Sequence, residues 1–298
     1  MDINTYKLFV AVAETRSISY TAEIMGYTQS GVSHSIKRME KVLNIQLFVR
    51  DRYGVHLTPI GSEVLQHVRK LLAVNEQLDQ FIYDIQGVEA GSLNIGTFSS
   101  VSVNWLPPII NLFSKEHPNI TINLKEGGTN NLNEWVLNGK VDFAFCNKDD
   151  NQHLQFIPIT SDEFLAIFPK DYPIPSDMES YPIKSFEKMP FILSEPTYDH
   201  NIPEILNKEK VHPLIRFSSQ DDYAIMSMVE NHLGTSILPE LMIEQRKDYL
   251  KYLPLYPSYQ RILGISLKSF YDLSPAAKSF IYFVLDYFNL SFDIDGAI

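Results

Sequence analysis

The sequence predicts an α/β protein in three parts: an N-terminal winged helix-turn-helix, a long linker helix, and a two-lobed domain of alternating strands and helices. Three observations carry that prediction. Residues 17–61 hold a capped pair of helical segments followed by a basic hairpin, a helical period of mostly apolar residues follows from Thr58, and from Gly91 short apolar strands alternate with helices.

The first helix of the pair can start at Ser19 as N-cap, with Glu23 in its opening turn and Ala22, Ile24 and Met25 facing inward. Gly26-Tyr27 breaks it. Thr28 can cap the next helix, where Val32, Ile36, Met39 and Leu43 recur at steps of three and four and form one buried stripe. The opposite stripe presents Gln29, Ser30, Ser33, His34, Lys37 and Lys41, with Arg38 beside it. Amides and hydroxyls suit base edges, and cations suit phosphates. Phe48 to Leu57 can form two short strands around a Tyr-Gly turn, a wing whose Arg50 and Arg52 reach the backbone or minor groove. Any one of these charges alone is an ordinary solvated side chain. Taken in order, they define an expected DNA-contact set of Thr28, Gln29, Ser30, Ser33, His34, Lys37, Arg38, Arg50 and Arg52.

This stretch resembles the N-terminal signature of the LysR-type transcriptional regulators. The matching residues are Ser17-Ile18-Ser19 with Ala22, Thr28-Gln29-Ser30 with Val32-Ser33, Ile36, Met39-Glu40, Leu47-Phe48, Arg50, and Leu57-Thr58-Pro59-Ile60-Gly61. The chain departs from the family pattern at Ser30-Gly31, where Pro-Ala is usual, and at Met39, where Leu is usual. Gly31 should loosen the helix by about 1 kcal/mol relative to alanine. The resemblance implies sequence-specific binding of double-stranded promoter DNA by a homodimer that pairs further into a homotetramer.

Charge divides the chain in the same place. Residues 1–72 carry nine Lys and Arg against six acids, a net +3, which leaves −14 on the remainder of a chain whose total is −11. Nucleic-acid contact should therefore be confined to the N-terminal part. The first residues are polar, and no apolar run approaches the roughly 20 residues of a membrane span, so the expected location is cytoplasmic with no membrane partner. A single cysteine, Cys146, rules out an intrachain disulfide and a multi-cysteine metal site.

Thr58-Pro59 marks a helix start that can run to about Gln86, with Val64, Leu65, Val68, Leu71, Leu72, Leu78, Phe81, Ile82 and Ile85 in helical period. So much apolar surface calls for a second copy of the helix, as the family resemblance also implies; packing within one chain is the alternative. Expected boundaries are 1–58 for the DNA-binding part, 59–88 for the linker and 89–298 for the remainder, with lobe one at 91–161 and 268–298 and lobe two at 162–267. The crossing strands are placed at Phe164 to Phe168 and Ile262 to Leu267, and a helix from Pro275 to Phe288 closes lobe one.

This element order is similar to the effector-binding domain of LysR-type regulators, itself like periplasmic binding proteins, with landmarks at Gly91 to Gly96, Leu106-Pro107, His117-Pro118, Gly139 to Asp142 and Leu233 to Pro239. A small organic effector is expected in the cleft at the strand ends. The expected contacts are Ser99, Ser100, Val101, Ser102, Thr129, Cys146, Thr197, Tyr198 and Ser219, with the effector's acidic or polar end at Ser99 to Ser102, where hydroxyls and N–H groups open a helix. Those serines also read as simple caps, and Cys146 as packing rather than a redox sensor. No Lys or Arg falls in these loops except Lys148 at the edge, so a neutral or monoanionic effector is expected.

No cofactor is implied. The chain holds no G-x-S-x-G elbow, phosphate loop or H-E-x-x-H, and its histidines form no metal spacing with one another or with Cys146. The competing reading, a two-lobed solute-binding protein or enzyme with an N-terminal interaction module, would need export or a catalytic constellation.

Overall fold

Side-chain caps mark the early helix starts. Asp2 accepts from Thr5 N at 2.8 Å to open α1 (Ile3–Thr15), Ser17 from Tyr20 N at 3.2 Å to open α2 (Ile18–Met25), and Thr28 from Gly31 N at 3.1 Å to open α3 (Gln29–Leu43). The cap of α2 is thus Ser17 and not Ser19. Ile18, Thr21 and Ala22, at steps of three and four, face inward with Met25 half-buried beside them, while Ile24 lies off that stripe and stays 54% exposed. The computed structural model describes residues 1–52, 54–85, 91–148, 153–195 and 201–291.

An antiparallel hairpin, β1 (Phe48–Asp51) and β2 (Gly54–Leu57), follows α3, and α4 (Pro59–Ile85) completes the first of two units into which the chain divides. Phe9, Val32, Ile36, Met39 and Leu47 form its core, closed by Leu65 and Val68 from the first turns of α4. Two of the motif residues have structural work. The Glu40 carboxylate accepts from Leu47 N at 2.8 Å and Phe48 N at 3.1 Å, satisfying the backbone where α3 gives way to the wing. Thr58 Oγ1 accepts from Gly61 N and donates to Gln46 O, and a Cβ on Gly61 would lie 2.2 Å from Leu47 O, so only glycine lets α4 start this close to β1.

The second unit begins with β3 (Gly91–Thr97), followed by α5 (Ser99–Asn104), α6 (Leu106–Glu116), β4 (Ile120–Glu126), α7 (Thr129–Leu137), β5 (Phe143–Asn147) and the long β6 (Gln155–Pro169). It continues through β7 (Tyr181–Pro182), β8 (Pro190–Ser194), α8 (Asn201–Glu209), β9 (Leu214–Ser219), α9 (Asp222–Glu230), β10 (Ser236–Pro239), α10 (Glu240–Ile243), β11 (Leu250–Tyr256), β12 (Gln260–Leu267) and α11 (Pro275–Tyr287).

In lobe one the strand order is β4-β3-β5-β12-β6, with β3 parallel to β4 and β5, and β12 antiparallel to both its neighbours. One face packs Phe113, Phe143 and Phe280 beneath α6 and α11, and the other packs Ala144 and Cys146 against Leu132 and Val136 of α7. Each such ring contributes about 1.5–3 kcal/mol by leaving water. Lobe two pairs β6 with β10 and β11 and sets β8 beside β10 through a Phe191–Thr235 bridge, with a core of Phe168, Phe186, Phe191, Ile225 and Ile237.

Strand β6 serves both lobes. Its Gln155 to Glu163 stretch pairs with β12 and its Phe164 to Pro169 stretch with β10 and β11. Strand β12 pairs only with lobe-one strands, and its Ile265 and Leu267 pack in the lobe-one core. Ile265 and Leu267 therefore join the lobe-one core, while Gln260–Ile262 lie at the crossing: an apolar strand looks the same in sequence whichever core it joins.

Candidate nucleic-acid interface and interlobe cleft

The outward face of α3 is the one its spacing marks. Gln29, Ser30, His34, Lys37, Arg38 and Lys41 are exposed, and Thr28 caps the helix while its hydroxyl lies 3.2 Å from that of Ser30. Thr28 is thus first a structural cap, held at the end of the reading face. Ser33 is half-buried, and its hydroxyl accepts from Arg50 Nη2 at 3.1 Å. Arg50 therefore reaches from the wing onto the recognition helix, and Ser33 positions it while keeping its own hydroxyl proton to donate. Arg52 is exposed at the end of β1. The wing itself is seated by Val55 N donating to Arg16 O at 3.0 Å, and Gly54, at φ 128°, passes so close that a Cβ would lie 2.8 Å from that same carbonyl.

The cleft is built differently from its sequence expectation. Ser99 to Ser102 do not precede one long helix; they form most of α5, a separate six-residue helix. Ser100 is fully buried and its hydroxyl accepts from Arg261 Nη2 at 3.1 Å. Val101 is in the core, and Ser102 Oγ donates to the Glu126 carboxylate at 2.6 Å. The Glu126 carboxylate thus sits beside Ser102 at this end of the cleft. Thr129 is the first residue of α7 and stays half-buried. Cys146 lies inside β5, buried against α7, with Sγ 4.0 Å from Asn133 Oδ1, and does not open on the cleft. Ser219 ends β9 and its Oγ accepts from Asp221 N at 3.1 Å, and Asp221 in turn caps α9. Thr197 and Tyr198 lie outside the described residues.

Sequence reasoning missed Arg261. It faces Asp162 across the β6–β12 ladder, and both side chains are buried, at 7% and 5% exposure. Arg261 Nε and Nη2 each donate to Asp162 Oδ2 at 2.8 Å, Asp162 Oδ1 accepts from Leu241 N at 2.9 Å, and the guanidinium lies 5.2 Å from the Phe98 ring. The pair thus joins the two crossing strands to α5 on one side and α10 on the other. Asn104 Nδ2 adds a second tie by donating to Leu241 O at 2.8 Å. The expectation that no cleft arginine exists fails here, although Asp162 balances the charge. No sequence signal marks a cross-strand pair 99 positions apart.

A cavity of about 430 Å³ opens between the end of β5, the start of β12 and helix α8. Its described wall includes Asn147, Lys148, Lys208, Tyr259 and Arg261 but none of Ser99, Ser100, Val101, Ser102, Thr129, Cys146 and Ser219. Lys148, placed at the edge by the sequence, is part of the wall. Tyr259 donates to Glu209 Oε1 at 2.6 Å; partial burial, then that hydrogen bond and the carboxylate's charge, push its hydroxyl up to about 12, so it stays a donor. Among the described residues there is no group of three or more His, Cys, Asp or Glu suited to a metal ion.

Residues 3–62 match the family model described as "Bacterial regulatory helix-turn-helix protein, lysR family", and residues 86–289 match that of the LysR substrate binding domain. The chain is 28% identical to the HTH-type transcriptional regulator YvbU of Bacillus subtilis, covering 97% of this chain and 99% of that protein. It is 27% identical to the transcriptional dual regulator GltC of the same organism, covering 97% and 98%. Among solved structures, a full-length OxyR variant from Pseudomonas aeruginosa superposes with a TM-score of 0.74 at 19% identity, over 97% of this chain and 95% of that one. Full-length CbnR, a LysR-family regulator complexed with its target DNA, superposes at 0.66 and 15% identity, over 97% and 100%. Two domain models that together span most of the sequence, in the order and at the places where the reading helix and the two lobes stand, make this chain a member of the LysR family: a transcriptional regulator, not an enzyme, with a helix-turn-helix DNA-binding domain and an effector-binding domain.

Proposed function

We propose that the protein binds a two-fold promoter site as an oligomer, reading base edges with Gln29, Ser30 and His34 and gripping phosphates with Lys37, Arg38, Arg50 and Arg52. The observation that carries this is the docking of Arg50 on Ser33, which fuses helix and wing into one reading surface. Oligomerisation is supported by the second half of α4, where Leu71, Val74, Leu78 and Phe81 are all more than two-fifths exposed at helical spacing, an apolar stripe fit for a second α4. Edge strand β9, with Leu214, Ile215 and Phe217 exposed, supplies sensor-domain surface for the further pairing of dimers into a tetramer. A role at promoter DNA supports a cytoplasmic location, and no helix of the described residues is long and apolar enough to cross a membrane.

A small organic effector binds between the lobes and shifts the population of lobe arrangements by binding one more tightly than the other. Of the residues expected to touch it, Ser99 and Thr129 remain half-exposed beside the lobe-one strand ends. Thr197 and Tyr198 stay in the proposal as lobe-two contacts. The test is binding of full-length protein to the DNA upstream of its own gene, with light scattering for the oligomer. Salt-sensitive binding as a dimer or tetramer, with half-sites about one DNA turn apart, is the expected result. A monomer at micromolar concentration, or equal affinity for random duplex, overturns it.

A further inference from the structure

Resting on the effector reading above, we infer that the effector is a small carboxylate carrying a hydroxyl or amine donor, held by Lys148, Lys208 and Asn147. The two ends of the cleft differ in charge. At the α5 end the serine hydroxyls are committed, Ser100 to Arg261 and Ser102 to Glu126, and the acid there disfavours an anion. At the other end, the 430 Å³ cavity carries Lys148 on lobe one and Lys208 on α8 of lobe two, with Glu204 as the acid in its wall. Arg261 adds no free charge, because Asp162 neutralises it. Among the described wall residues the balance is therefore positive by one charge, which matches one carboxylate.

Asn147 supplies the second requirement. It ends β5 in the same wall, and its Oδ1 is sealed from solvent with no hydrogen-bond partner among the described residues. A buried acceptor left unpaired is costly, and a ligand O–H or N–H that reaches it as the lobes close removes that cost. Phe164 and Ile205 offer apolar wall for the rest of the molecule. Because Lys148 and Lys208 sit on different lobes, one carboxylate between them favours the arrangement that brings the lobes together. That gives the differential affinity a switch requires.

The experiment is calorimetric titration of the full-length protein with hydroxy and amino acids from lactate and alanine to phenyllactate and phenylalanine, alongside the matching deoxy acids and amides. At least one hydroxy or amino acid should bind, and its deoxy acid and its amide should each bind about tenfold more weakly or worse. Lys148→Gln and Lys208→Gln should each cost about tenfold, and Asn147→Asp, which keeps the shape and adds a repelling charge, at least as much, with circular dichroism confirming the fold. Equal binding of acid and amide, or full affinity in the double lysine variant, overturns the inference. So does a panel in which nothing binds. A neutral compound that changes promoter affinity while the panel fails leaves the effector reading standing and removes this one; promoter binding that no small molecule alters removes the effector reading itself.

Discussion

The reading helix and the cleft use polar side chains in opposite ways. On α3 the chemistry-bearing groups point outward, and their backbone is held by other residues: Thr28, Glu40 and Thr58 make the supporting bonds while Gln29 and Lys37 face water. Around the cleft the polar groups hold each other, Arg261 with Asp162 and Ser100, Ser102 with Glu126, Ser218 with Glu195. A surface meant to meet a rigid duplex needs its donors free. At the crossing strands they are committed, because a buried charge such as that of Arg261 needs its partners.

The largest test of that contrast is Asp162→Ala. It strands a buried guanidinium, and urea denaturation should show about 3–5 kcal/mol lost from the sensor domain; a loss below about 1 kcal/mol would mean that water reaches the pair and that the node holds little. Replacing both partners, Asp162→Asn with Arg261→Gln, should recover much of that loss, since no charge is left unpaired.

Next in size, Gln29→Ala should lose roughly 1 to 3 kcal/mol on the cognate promoter and change the preferred sequence, with random duplex unaffected. Equal loss on both duplexes would remove Gln29 from the base-reading set. Glu40→Gln should instead weaken every duplex together, because it loosens the junction that carries the wing; two charge-assisted bonds become weaker neutral ones, at a cost of about 1–2 kcal/mol in stability. A change of sequence preference in that variant would show that Glu40 acts on the bases. The smallest effect belongs to Arg50→Ala, which should lower the salt slope of binding by about one. An unchanged slope would assign Arg50 wholly to holding Ser33.

The N-terminal unit was legible because its signals are local. Caps, a three-and-four period and a basic hairpin all fall within a few dozen residues, and only the start of α2 was misplaced, since Ser17 and Ser19 are equally good caps and the choice between them depends on packing. The lobes' strands and helices were also legible from composition. The cleft was not. Ser100 looks like an exposed helix-start hydroxyl until Arg261, from a strand 161 positions away, takes it. Cys146 reads as a loop residue because β5 runs past the apolar stretch that announces it. Lys148 and Lys208 come to line one cavity only in the folded chain, a placement no periodicity encodes.

Strand β6 belongs to both lobes without a break, and the antiparallel β12 runs beside it up to the crossing. In mechanical terms the effector domain has no pin joint. Rotation of one lobe against the other must twist a two-ply leaf spring, whose stiffness comes from the ladder between Gln260–Ile262 and Ser161–Glu163. Such an element stores work evenly and returns it when the load is removed, so a bound effector has to go on supplying the torque for as long as the altered lobe angle is maintained.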